Sequence, residues 1–124
     1  MIVLDYQDRR PIYEQVTDKF QILILNGVLP PGSQMPSVRQ LATELSVNPN
    51  TIQRAYMELE KLGLIYPVKG RGNFVADSSQ VQKINRESYR KEFTALIQKG
   101  RNTGFNREEL DKMFAEIFEK EDES

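Results

Sequence analysis

The sequence predicts a mainly α fold with one small β-hairpin and a helical pair at its C-terminal end. Three observations carry that expectation. Apolar residues recur at spacings of three and four in five separate stretches, capping residues stand at the starts of most of those stretches, and two short β-prone runs flank a glycine-rich turn.

After a short strand-like start at Ile2 to Leu4, Pro11 to Gly27 places Ile12, Val16, Phe20, Leu23 and Ile24 on one helical face. Pro11 suits the first turn, where a missing N–H costs nothing, and Gly27 suits the left-handed position just past the end. Leu29-Pro30-Pro31-Gly32-Ser33 reads as loop. Ser37, with Gln40 three residues on, then caps a short second helix whose apolar positions run from Val38 to Leu45. Ser46-Val47-Asn48 connects it tightly to a third, which Asn48 caps and Pro49 opens.

That third helix is expected to run to Leu62 and stop at Gly63. Ile52, Ala55, Tyr56, Leu59 and Leu62 share its inner side, and Asn50, Gln53, Arg54, Met57 and Lys61 the outer one. Leu64–Val68 and Asn73–Ala76 form a hairpin around Lys69-Gly70-Arg71-Gly72, with Pro67 limiting its strand to an edge or a bulge. Beyond Ser79 a helix is expected up to Gly100, with Val81, Ile84, Tyr89, Phe93, Leu96 and Ile97 as its apolar positions. A last helix opens at Asn106 with Glu109 at the third position and Phe105 and Leu110 as a hydrophobic staple; Met113, Phe114, Ile117 and Phe118 continue its stripe.

Composition narrows the function. A chain of 124 residues has room for one compact domain and a short appendage, and little for a separate ligand-binding domain of ordinary size. Cysteine and histidine are both absent, which removes disulfides, thiol nucleophiles, the commonest general base and the commonest transition-metal ligand. No cofactor or metal site is expected. MIVLDYQDRR lacks an apolar core behind a basic stretch, and no apolar run approaches the ~20 residues of a membrane span, so no membrane partner and a cytoplasmic location are expected.

The formal net charge of −1 conceals an uneven distribution. From Tyr66 to Arg101 eight basic residues face three acidic ones, and from Asn102 to Ser124 three basic residues face eight acidic ones. Three helices, the second short and tightly joined to the third, followed by a basic hairpin, make a winged helix-turn-helix over residues 1–77. The polar outer side of its third helix suits the DNA major groove, where Arg54 favours guanine and Asn50 and Gln53 favour adenine. Arg39 opposes the dipole of the second helix, which suggests an outside anion, and Lys69, Gly70 and Arg71 form a wing tip able to approach phosphates. Each residue also has a local role: Ser37 and Asn48 are caps, Arg54 has Glu58 at i+4, and the wing glycines serve the turn.

The stretch LPPGSQMPSVRQLATELSVNPNTIQRAYMELEKLGLIYPVKGRGNFV, with PIYEQV before it, resembles the DNA-binding signature of the GntR family of bacterial transcriptional regulators, in particular its short YtrA-like branch. The resemblance implies DNA contacts at Arg39, at Asn48, Asn50, Thr51 and Gln53, and at Lys69 and Gly70. Many relatives carry arginine where this chain has Pro49 and Gln53, whereas NPNT followed by Arg54-Ala55-Tyr56 resembles the YtrA-like branch and strengthens Arg54 as a candidate. The DNA-facing candidates are thus Ser37, Arg39, Asn48, Asn50, Thr51, Gln53, Arg54, Lys69, Gly70 and Arg71.

Residues 78–124 are expected to form a helical dimerisation hairpin. Its stripe of Phe93, Leu96, Ile97, Leu110, Met113, Phe114, Ile117 and Phe118 encloses little ligand but can be buried against a second copy, as the YtrA-like branch implies, or against the chain's own winged domain. Expected partners are an operator in double-stranded DNA and a second copy of the chain; a small-molecule effector is not identified. A repressor function follows from the resemblance alone. Two other classes fit less well. A protein-interaction winged helix would carry an apolar or acidic outer side on the third helix, and an enzyme would have to work from Glu58, Glu60, Glu108 or Glu109 without a nucleophile or metal partner beside them.

Overall fold

The computed structural model describes residues 2–123, so the outer ends of the two expected domains, Met1 and Ser124, lie outside the described residues. Its elements are α1 (Ile12–Leu25), α2 (Val38–Leu45), α3 (Pro49–Lys61), β1 (Ile65–Val68), β2 (Gly72–Val75), α4 (Ser79–Asn102) and α5 (Arg107–Glu123). The mainly α fold with a small hairpin wing is therefore present. Two compact units divide the chain between Lys83 and Ile84.

In the first unit, α1 buries Val16, Phe20 and Ile24, and α3 buries Ile52, Ala55, Tyr56 and Leu59. The Phe20 ring meets that of Tyr56 edge to face, with centroids 5.9 Å apart. Leu41 and Ala42 of α2, Met35 before it, Leu64, Ile65 and Val75 of the hairpin region, and Ile2 join the core. The Tyr56 hydroxyl donates to the Pro36 carbonyl at 2.7 Å, and burial pushes its pKa up, so this phenol stays a donor.

The expected caps form. Ser37 Oγ accepts the Gln40 N–H at 3.0 Å, and Asn48 Oδ1 accepts the Asn50 N–H at 2.8 Å. Between them Ser46 stands at φ 56°, the sole non-glycine residue with positive φ among the described residues. Glycine takes this backbone without the steric cost of a Cβ, so Ser46→Gly is expected to raise stability by about 0.5–1 kcal/mol, read as a higher urea midpoint at unchanged slope.

Four local expectations are corrected. Ile2–Leu4 forms no strand: among the described residues no strand pairs with it, and the next residue is held by a side chain, Gln15 Oε1 accepting the Asp5 N–H at 3.0 Å and Gln15 Nε2 donating to the Asp5 carbonyl at 3.1 Å. Leu62, placed on the inner side of the third helix, is 43% exposed. The helix closes there in a Schellman turn, with Gly63 at φ 76° and the Leu64 N–H on the Leu59 carbonyl at 3.0 Å, and Leu64 enters the core instead.

The segment before α2, read as loop, adds main-chain bonds to the outer side of β2. Gly32 N–H donates to Val75 O, Val75 N–H to Ser33 O and Met35 N–H to Asn73 O, each at 2.8 Å. On its other side β2 pairs with β1 in the register Ile65↔Val75, Tyr66↔Phe74, Pro67↔Asn73 and Val68↔Gly72, which leaves Pro67 on the outermost strand. Finally, α4 continues through Gly100 to Asn102. A Cβ at Gly100 would meet Leu110 Cδ2 at 3.5 Å, an ordinary contact, so the helix runs through this position, and Gly104 takes the positive φ of 103° that makes the turn.

The start of α4 belongs to the first unit. The Asp77 carboxylate accepts the Ser79 N–H at 3.1 Å, a bond that holds its pKa below the usual range, and Gln82 Nε2 donates to the Leu25 carbonyl at 3.0 Å. Val81 packs on the winged core rather than on the C-terminal stripe. The second unit is the remainder of α4 with α5. Asn106 and Glu109 close a reciprocal capping box at 2.8 and 3.2 Å.

Candidate nucleic-acid interface

The outer side of α3 is exposed at Asn50, Gln53, Arg54, Met57 and Lys61 while the opposite side is core, so packing aims these five side chains at solvent. Lys61 pairs with Glu58 at 3.4 Å, and among the described residues Arg54 has no carboxylate within salt-bridge distance. The Arg54 guanidinium lies instead over the ring of Tyr13 in α1, 3.8 Å from its centroid, and its Nη2 donates to the Tyr13 hydroxyl at 3.3 Å. With Pro11, Ile12, Asn50 and Thr51 these two residues line a notch of about 380 Å³. Asn50, Thr51 and Arg54 are thereby brought together; Thr51 is half-buried.

Ser37 and Asn48 are exposed, but one side-chain oxygen of each is engaged as a cap, leaving the Asn48 amide NH₂ and the Ser37 hydroxyl proton to reach outward. Arg39 is exposed in the first turn of α2, a turn that contains no acidic residue. At the wing tip Lys69, Gly70 and Arg71 are exposed, with Gly70 at φ 78° and Gly72 at φ 110° shaping the turn. Among the described residues Arg39, Lys69 and Arg71 have no carboxylate within salt-bridge distance, so their charges are free for an outside anion. Gln34 Nε2 holds the Arg71 carbonyl at 2.8 Å and so ties the wing tip to the segment before α2.

Tyr13 and Gln34 were not among the sequence candidates. Each acts on a residue far along the chain, 41 positions away for Tyr13 and 37 for Gln34, and neither bond leaves a local pattern to read.

In the second unit Phe93, Leu96, Ile97, Leu110, Met113, Phe114 and Ile117 line a groove of about 430 Å³ between α4 and α5. The Phe118 ring packs on Phe114 with centroids 4.7 Å apart. Phe93, Leu96, Met113, Phe114, Ile117 and Phe118 are all more than 40% exposed, an apolar surface larger than scattered hydrophobics would give. No helix among the described residues is long and apolar enough to cross a membrane.

Residues 12–75 match the family model described as bacterial regulatory proteins, gntR family. The chain is 34% identical to the HTH-type transcriptional repressor YtrA of Bacillus subtilis over 119 residues, 94% of this chain and 92% of that protein. Among solved structures it is similar to a GntR family transcriptional regulator from Listeria monocytogenes, with a TM-score of 0.71, 33% identity, and coverage of 91% of this chain and 98% of that one. A third likeness is to the AraR DNA-binding domain in complex with operator ORR3, with a TM-score of 0.53, 32% identity, and coverage of 61% of this chain and 92% of that one. Members of the matched family are regulators of transcription and not enzymes. The chain belongs to the GntR family, as a YtrA-like transcriptional regulator with a winged helix-turn-helix DNA-binding domain.

Proposed function

We propose that this regulator is a cytoplasmic repressor that binds a pseudo-palindromic operator as a homodimer, with residues 1–77 on the DNA and the hairpin of residues 78–124 joining the two copies. The observation that carries the DNA reading is the exposed polar side of α3, with the uncompensated cations Arg39, Lys69 and Arg71 on the neighbouring elements. Asn50, Gln53 and Arg54 read base edges. Arg39, Thr51, the capping residues Ser37 and Asn48, and the wing tip at Lys69, Gly70 and Arg71 hold the backbone and set the register. The exposed stripe of the second unit supports the homodimer, and the repressor YtrA supports the sign of regulation. No small-molecule effector is assigned.

Selection of bound sequences from a random DNA pool tests the reading directly: two inverted half-sites, centred about one helical turn or a multiple apart, are expected, and enrichment of no sequence would overturn it. The roles separate by substitution. Lys69→Ala is expected to weaken every DNA alike and to reduce the slope of log K against log salt by about 1, while Arg54→Ala costs about 1–3 kcal/mol on the selected site and relaxes preference at one position. An unchanged salt slope for Lys69→Ala removes the wing from the phosphate contacts.

A further inference from the structure

Outside the DNA-reading groups, one side chain touches the recognition surface from another helix. Tyr13 lies near the start of α1, half-buried and packed against the core, and its ring carries the Arg54 guanidinium at 3.8 Å. We propose that Tyr13 is a positioning residue for sequence recognition: the first helix, through this ring, sets the orientation in which Arg54 meets a base. The inference rests on the reading of Arg54 as a base contact.

The chemistry of the partner is what gives the arrangement its use. A carboxylate would also orient an arginine, but it would offset the charge and occupy the paired N–H groups that a guanine needs. The carboxylate at i+4 on α3, Glu58, lies against Lys61 at 3.4 Å and forms no ion pair with Arg54. An aromatic face holds the guanidinium flat by attraction to its π electrons while leaving the positive charge intact. Of the five guanidinium N–H donors, the structure assigns one to the Tyr13 hydroxyl, at 3.3 Å, and the group borders the open notch that Asn50 and Thr51 also line.

Arginine has about 2 kcal/mol of rotamer entropy to lose on docking, and a side chain already stacked loses less of it when DNA arrives. The benefit is therefore confined to complexes in which Arg54 is used. Nonspecific complexes, held by phosphate contacts, gain nothing from it.

The test compares Tyr13→Leu, Tyr13→Phe, Arg54→Ala and the double variant Tyr13→Leu/Arg54→Ala, in the full chain, on the selected operator and on unrelated duplex DNA across a salt series. Tyr13→Leu is expected to weaken operator binding about tenfold, within the range of a cation–π contact, while unrelated DNA and the salt slope stay as in the parent. Tyr13→Phe, which keeps the ring, is expected to restore binding to within about twofold. In the Arg54→Ala background, Tyr13→Leu is expected to add nothing.

Equal loss on all DNA, or losses that add in the double variant, would overturn the positioning role while leaving the base reading in place. An Arg54→Ala variant with unchanged operator preference would overturn both. Should Tyr13→Leu fail to fold, proton NMR of the free parent protein decides: the Arg54 side-chain protons are expected upfield of ordinary arginine values because they lie over the ring, and unshifted resonances reject the stack.

Discussion

Phe114→Asp is expected to turn a dimer into a monomer in light scattering and to weaken binding to a full two-half-site operator by about 100-fold or more. Phe114 sits on the exposed stripe of α5 at 55% exposure, with its ring against Phe118 of the same helix. A carboxylate there would be desolvated without a partner if a second copy covered the stripe, and such burial is among the costliest single changes an interface can receive. The hairpin has other anchors, Leu110 beside Gly100 and the Asn106–Glu109 capping box, and helicity is expected to persist. Loss of operator affinity follows because each half-site contact no longer raises the effective concentration of the other. Affinity for a single half-site should stay near that of the parent. A parent chain that is already monomeric at micromolar concentration would sink the dimer reading.

Phe20→Ala is expected to have the largest effect on stability, about 3–5 kcal/mol. Phe20 is 0% exposed near the centre of α1, and its ring meets that of Tyr56 edge to face at an interplanar angle of 87°. Removing the ring leaves a cavity between α1 and α3, the helices on which the interface depends, and uncouples the Tyr56 ring from its neighbour. For a first unit of this size such a loss is a large fraction of the whole folding free energy. Chemical denaturation followed by far-UV circular dichroism measures it; a loss below 1 kcal/mol would mean that this core closes around the space.

The helices and their caps were legible because the signals are local. Ser37 with Gln40, Asn48 with Pro49, and Asn106 with Glu109 state where a helix starts within four residues of text, and the geometry follows. The apolar spacing of α1 and the inner side of α3 was equally readable up to Leu59. What escaped lay in turns and contacts that helical spacing does not record. Leu62 continues the helical spacing, but the turn at Gly63 swings Leu64 into the place it would have filled.

Ile2–Leu4 has strand composition, yet a strand needs a neighbour, and among the described residues none pairs with it. Gly100 looks like a stop because glycine often ends helices, but the positive φ that turns the chain belongs to Gly104. The exposed polar face of α3 was readable in the sequence, whereas the Tyr13 stack under Arg54 joins two helices that share no sequence pattern.

The bonds between residues 32–35 and β2 bear on how the protein behaves when concentrated. An open strand edge is a template for another chain, and a two-stranded ribbon has two such edges. Here one side of β2 is occupied by Ser33 and its neighbours, and the remaining edge, β1, carries Pro67, which has no N–H to donate. The hairpin is in this way closed to strand pairing on both sides, so the sheet offers little template for aggregation.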